Sequence, residues 1–156
     1  MYFSTVGIVS DHAGKDLKRL LVELLSTMEI QVEDLGVAWE TEASVDYPDY
    51  AGLLATKISQ KKLDGGIAIC GTGIGMSMAA NKYPGVRAAV IWSEYTSRMS
   101  REHNDSNMLC LGARALNEHR AADFVKIWLE TPFLGGHHQL RVDKITKIEK
   151  KNGIHI

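Results

Sequence analysis

Charge of one sign is what this sequence has least of. Its 156 residues carry 18 Lys and Arg against 19 Asp and Glu, a formal net charge of −1. That balance argues against a bulk electrostatic binder of nucleic acid or of an anionic membrane, and leaves room for a local basic patch. No apolar run approaches the roughly 18 residues that a membrane span requires. The first ten residues are apolar yet lack a basic leader region and soon meet Asp11 and His12, so they do not read as a signal peptide. Cysteine is scarce. Cys70 and Cys110 cannot build a disulfide framework, and a reduced cytoplasmic setting is expected. Repeats, low-complexity stretches and interdomain linkers are missing, and a length near the ~150 residues of an average domain predicts one domain over 1–156. The hydrophobic share of 45% and charged share of 24% are ordinary for a globular chain.

Two kinds of segment alternate along this chain. Short apolar runs at 6–9, 66–70, 87–91 and 108–111, with a weaker one at 30–35, have strand length. Most are nearly continuous rather than alternating, as strands buried on both faces of a parallel sheet are. Between them lie helical periodicities. Leu17, Leu20, Leu21, Leu24, Leu25 and Met28 form one helical face. Pro48 opens a second helix, with Ala51, Leu54, Ala55 and Ile58 along one side. Asn117 is a candidate N-cap before a stripe of Ala121, Phe124, Val125 and Trp128. A last helix, about 138–151, places Val142, Ile145 and Ile148 on one face. Strands alternating with helices predict an α/β fold, a three-layer α/β/α sandwich around a five-stranded parallel sheet of Rossmann or flavodoxin-like type, plus the C-terminal helix. The expected strand order is 2-1-3-4-5.

In such a sheet ligands bind beyond the carboxyl ends of the strands. The segment Gly71-Thr72-Gly73-Ile74-Gly75 follows the third strand and opens a helix. Its glycines permit positive φ and close backbone approach, and its N–H groups can face an anion. The alternative is a tight strand-to-helix turn packed for its own sake. A dinucleotide fingerprint fails here, because position 76 is Met and the loop follows strand three, and no Walker A pattern is present. The anion held can therefore be one that develops during a reaction. Cys70 stands just before the loop, where a helix N-terminus favours a thiolate; the competing reading is a small buried hydrophobe, which fits Cys110 well. Asp11 and His12 follow strand one. Asp11 can cap the helix starting near Ala13, with His12 merely exposed. His103-Asn104-Asp105 ends the helical stretch 95–102, where a histidine is also favoured by the helix dipole. His137 and His138, being adjacent, should point apart on a helix, which is poor geometry for one metal, and nothing else has convincing zinc spacing. With Arg141 they read as anion recognition or as an ordinary basic helix start. His119 and His155 read as solvent-exposed, and Trp39, Trp92 and Trp128 as packing residues.

Taken together, several segments resemble ribose-5-phosphate isomerase type B, a family that also includes the galactose-6-phosphate isomerase subunits. They are Ser-Asp-His-Ala-Gly at 10–14, Val-Asp-Tyr-Pro-Asp-Tyr at 45–50, Cys-Gly-Thr-Gly-Ile-Gly-Met-Ser at 70–77, Ala-Asn-Lys-Tyr-Pro-Gly-Val-Arg-Ala-Ala at 80–89, Ser-Arg-Glu-His-Asn-Asp-Ser-Asn at 100–107 and Gly-Gly-His-His-Gln-Leu-Arg-Val at 135–142. The resemblance covers nearly the whole chain, in order. It implies an aldose–ketose isomerase of sugar phosphates that works through a cis-enediolate, without metal or other cofactor, ribose 5-phosphate and ribulose 5-phosphate being the leading pair. Another phosphorylated sugar (an allose or galactose 6-phosphate, or a tetrose phosphate) is the alternative, as is a non-catalytic sugar-phosphate-binding module. It further implies Cys70 as the base, His103 in ring opening, Asp11 and Thr72 in proton transfer, and the 71–75 loop as the oxyanion cradle. Asn104 and Tyr47 would contact sugar hydroxyls, and His12, Arg114, His138 and Arg141 the phosphate. His137 stands where the family commonly has Arg. The resemblance implies a homodimer or a dimer of dimers, with the C-terminal helix on a partner subunit and part of each phosphate site supplied by that partner. No nucleic-acid or membrane partner is expected.

Overall fold

The computed structural model describes residues 2–153, so the expectation for His155 falls outside them. In chain order the elements are β1 (Thr5–Ser10), a 3-10 turn (His12–Gly14), α1 (Lys15–Ser26), β2 (Gln31–Asp34), α2 (Tyr47–Ser59), β3 (Gly65–Cys70), α3 (Ile74–Ala80), β4 (Ala88–Val90), α4 (Glu94–Glu102), β5 (Met108–Gly112), α5 (Glu118–Glu130) and α6 (His137–Lys151). All strand pairs are parallel. No helix among the described residues is long and apolar enough to cross a membrane.

The strand order is β2-β1-β3-β5-β4, not the 2-1-3-4-5 expected. Burial explains the exchange. β5, Met-Leu-Cys-Leu-Gly, is buried at every residue, whereas β4 has only three residues, all half-buried. The longer apolar strand takes the inner position and the short one the edge, where few backbone groups are left unpaired. β2 forms the other edge; its end residues are exposed and its middle two only half-buried, which explains its weak sequence signal.

Two cores flank the sheet. On one face Leu17, Leu21 and Leu25 of α1 meet Phe124, Val125 and Trp128 of α5 over Val6, Ile8, Ile67 and Leu109. On the other, Ala51, Leu54, Ala55 and Ile58 of α2 meet Met76 and Ala80 of α3 over Val9, Ala68 and Cys110. Trp128 is a core residue, stacked on Phe3 and donating from Nε1 to Ser106 Oγ at 2.8 Å. Trp39 and Trp92 are exposed, which corrects their reading as packing residues; each lies in a connection beyond a strand end, outside both cores. His119 is exposed as expected. The anticipated caps form: Asp11 Oδ1 accepts from the Ala13 N–H at 2.9 Å, and Asn117 Oδ1 from the His119 N–H at 2.9 Å. Pro48 sits in the first turn of α2, where its missing N–H costs nothing.

Candidate active site

Backbone bonds continue past the strand ends and align the segments that follow them. The Asp11 N–H donates to Ile69 O at 3.1 Å, Ala113 N–H to Cys70 O at 2.8 Å, and Arg114 N–H to Gly71 O at 3.0 Å. Asp11, Cys70 with its loop, and Arg114 are thereby set side by side at the carboxyl edge of β1, β3 and β5. This lies beside the reversal of chain direction across the sheet, where α/β folds bind ligands.

Cys70 is buried, with the Gly73 N–H directed at its Sγ at 3.1 Å. That donor faces the atom that carries negative charge in a thiolate. Gly73 has φ +77°, and an added Cβ would sit 3.0 Å from the Leu111 carbonyl carbon, so only glycine suits this position. The Ile74 N–H donates to Thr72 Oγ1 at 3.3 Å. Two N–H groups of the 71–75 loop thus have acceptors within the chain, a division of labour that glycine spacing alone did not disclose. The Tyr47 ring lies over Gly75, where a Cβ would come within 2.6 Å of it, and the Arg114 guanidinium lies over Gly71. Cys110 is enclosed in the core, and burial pushes its thiol up. The two cysteines therefore stand in different surroundings: one at the strand end facing an N–H donor, the other inert.

His12 is half-buried on the 3-10 turn, and its Nδ1 accepts the Val45 N–H at 3.2 Å. Nothing in the sequence marked this bond, which joins residues 33 apart. Lys15 Nζ in turn donates to Trp39 O at 3.3 Å and to Thr41 O, and the Arg19 guanidinium stacks on the Trp39 ring 4.4 Å from its centroid. These contacts fasten the 35–46 connection to the start of α1.

The remaining candidates form a second cluster elsewhere. α4 carries the chain from the carboxyl end of β4 back to the amino end of β5, so His103 and Asn104 emerge at the amino edge. The bonds there confirm it. Arg87, just before β4, donates from Nε to Asn104 O at 3.1 Å and from a terminal nitrogen to Asp105 at 2.9 Å, and the Gly66 N–H at the start of β3 reaches Asn107 O at 3.0 Å. The His103 ring stacks on His138 with centroids 4.1 Å apart, and His137 tilts against His138 at 3.9 Å. The expectation that His137 and His138 point apart is corrected: they begin α6 after Gly136, where φ is +55°, and the two rings lie against each other, with His138 also stacked on His103 at the end of α4. Arg141 donates to His137 O at 3.2 Å. Desolvation in this stack, then the neighbouring His137, His103 and Arg141, holds His138 below its ordinary range, with Glu102 opposing. Arg101 and Asp105 brace the corner, paired at 2.9 Å, with Arg101 buried over Phe3.

The candidate residues of one chain therefore fall into two separate clusters. Asp11, His12, Tyr47, Cys70, the 71–75 loop and Arg114 stand at the carboxyl edge; His103, Asn104, His137, His138 and Arg141 stand at the amino edge. The six residues of β3 between them span about 16 Å at about 3.3 Å per step. That separation rules out direct contact within a single chain.

A doubly wound parallel sheet with a buried strand-end thiol, a glycine-rich N–H loop and a histidine–arginine cluster defines an α/β protein equipped for proton transfer and anion recognition. The family described as Ribose/Galactose Isomerase matches residues 6–145, and the chain belongs to it. It is 43% identical over 141 residues to the ribose-5-phosphate isomerase B of Escherichia coli, covering 90% of this chain and 93% of that one. The structure of the ribose-5-phosphate isomerase B of Clostridium thermocellum superposes with TM-score 0.92 at 48% identity, covering 96% of this chain and 99% of the other. That of Mycoplasma genitalium, with bound ribulose 5-phosphate, superposes with TM-score 0.91 at 43% identity, covering 94% and 97%.

Proposed function

We propose that the chain interconverts ribose 5-phosphate and ribulose 5-phosphate, and that each active site is built from two copies. The observation that carries the chemistry is Cys70 Sγ at the end of β3 with the Gly73 N–H 3.1 Å away. Cys70 takes the proton from C2 of the open-chain aldose and returns it to C1. The hydroxyl proton passes from O2 to O1 by way of Asp11 and Thr72, whose side chains stand at the same edge. The enediolate oxygen that carries negative charge between these transfers faces the 71–75 loop, where each well-aimed donor contributes about 3 kcal/mol. Tyr47 bounds the sugar, and His12 and Arg114 begin the phosphate site.

The amino-edge cluster completes it from the second copy. In a two-fold dimer each carboxyl edge meets the other chain's amino edge reciprocally. His103 of the partner subunit opens the furanose, Asn104 of the partner subunit holds a sugar hydroxyl, and His138 and Arg141 of the partner subunit close on the phosphate. The surfaces suit this docking. Ile74 and Met78, beside the loop, are exposed, and so are Leu140, Ile145 and Ile148 on α6. A groove of about 390 Å³ between α6 and β4, lined by Val86, Ala88, Ile145 and Ile148, opens beside Asn104. α6 has a single buried residue, Val142, in its own chain, as expected of a helix that finds its packing on another. Two free thiols fit the reducing cytoplasm as its setting.

NMR of ribose 5-phosphate and a panel of other aldose phosphates in D₂O tests the chemistry. Product formation, with deuterium entering the recovered substrate where the proton exchanges with solvent, is expected. Binding with neither product nor exchange identifies a sugar-phosphate-binding module instead.

A further inference from the structure

His12 is held by a part of the chain that the reaction itself does not use. In a neutral imidazole one nitrogen donates and the other accepts. The Val45 N–H donates to Nδ1 at 3.2 Å, so the ring must keep its proton on Nε2. That tautomer offers N–H to a phosphate oxygen; the other would offer a lone pair to an anion.

The donor lies near the end of a connection, 35–46, with neither helix nor strand. Connections of about 12 residues without secondary structure need their own fastening to keep one shape. Leu35 and Val37 are tied to β1 through Ile8 O and Ser10 O at 2.9 and 3.3 Å, but those ties lie at the start. The middle is fastened by Lys15 Nζ on the carbonyls of Trp39 and Thr41, and by Arg19 against the Trp39 ring. Lys15 is three residues from His12. The 3-10 turn and the first residue of α1 therefore carry the imidazole and the ammonium that brings Val45 to it.

We propose that Lys15 and Trp39 are positioning residues: they clamp the 35–46 connection so that the Val45 N–H fixes His12 as the Nε2–H donor for an anionic oxygen of the ligand. The proposal rests on the assignment of His12 to the phosphate site. Lys15 reaches the two backbone carbonyls and the face of the Trp39 ring, 6.0 Å from its centroid, all within the connection, so its effect on the ligand passes through the His12 imidazole.

The test uses full-length ¹⁵N-labelled protein. Long-range ¹H–¹⁵N spectra, with His12→Gln for assignment, read the tautomer, and inorganic phosphate titrated into the same samples reads affinity without requiring turnover. The wild type is expected to show Nε2–H alone. Lys15→Met should give a mixed tautomer and weaken phosphate by about fivefold, the scale of one hydrogen bond. In turnover, KM for ribose 5-phosphate should rise by a similar factor with kcat within about twofold. Lys15→Arg, which can still donate to both carbonyls, should restore tautomer and affinity. Trp39→Ala should shift both readings in the direction of Lys15→Met. An unchanged tautomer in Lys15→Met overturns the proposal, and if affinity nevertheless falls, Lys15 contacts the phosphate directly. A shifted tautomer with unchanged phosphate affinity overturns it as well. Failure of the wild type to isomerise ribose 5-phosphate, with the tautomer and phosphate results as expected, would remove the isomerase assignment and leave the clamp standing.

Discussion

Replacing Cys70 by alanine in one population of chains and His103 by alanine in another separates a shared active site from a self-contained one. Each variant alone should lose about 10²–10⁴ in kcat, the usual weight of a positioned proton-transfer group. The two residues stand at opposite edges of one sheet, at either end of a six-residue strand. In a mixed two-fold dimer one site therefore combines both defects and the other combines neither. Random re-association of equal amounts gives half mixed dimers, so about a quarter of all sites become intact. Activity should climb from near zero to about 25% of wild type after co-refolding or co-expression, read as ribulose 5-phosphate formed per chain. The reciprocal mixture sharpens the result. Wild type mixed with the double variant keeps about 25% of sites if they are shared, because mixed dimers then have none, and about 50% if each chain holds its own. No recovery in the first mixture together with 50% in the second would refute the split between the edges.

Gly73→Ala should destabilise the fold by about 1–3 kcal/mol, since it places a side chain at positive φ against the β5 backbone; it should also lower kcat by moving the N–H that faces Cys70. Thermal unfolding and turnover check the two effects. Asp105→Ala leaves the buried Arg101 short of its carboxylate. Because Asp105 is about one-third exposed, about 2 kcal/mol rather than the 3–5 of a fully buried pair is expected by urea unfolding. His138 is held below its ordinary range by desolvation and by His137, His103 and Arg141, so it is largely neutral near pH 7. A phosphate dianion reverses part of that balance, so binding should take up protons and strengthen as pH falls from 8 towards about 6.5. Calorimetry in two buffers of different ionisation enthalpy should show net uptake; identical heats in both would exclude it.

Much of the fold could be read directly. The leucine periodicity of 17–28 produced α1 with Leu17, Leu21 and Leu25 inward, and the apolar runs at 6–9, 66–70 and 108–111 became the inner strands, while that at 87–91 became an edge. The strand order could not, because β4 and β5 differ in depth rather than in pattern. The carboxyl-edge site was legible because strand-end positions concentrate Asp11, Cys70 and the glycines. That His103 leaves for the far edge also follows from strand–helix alternation, since any segment between a helix and the next parallel strand sits at the amino edge. What no local pattern carries is a contact such as Val45 on His12. It depends on a backbone group, which every residue has, and on a loop path that only the folded chain defines.

The proposed sharing of each site between two copies has a consequence for the life of the chain. Under that proposal a single subunit, with its sheet, both cores and both sets of groups in place, would still be chemically silent. Turnover then begins at encounter, and at low abundance the rate grows with the square of the chain concentration. Specific activity measured on serial dilution becomes a direct gauge of assembly, and a cell making little of this protein would gain more than twofold by making twice as much.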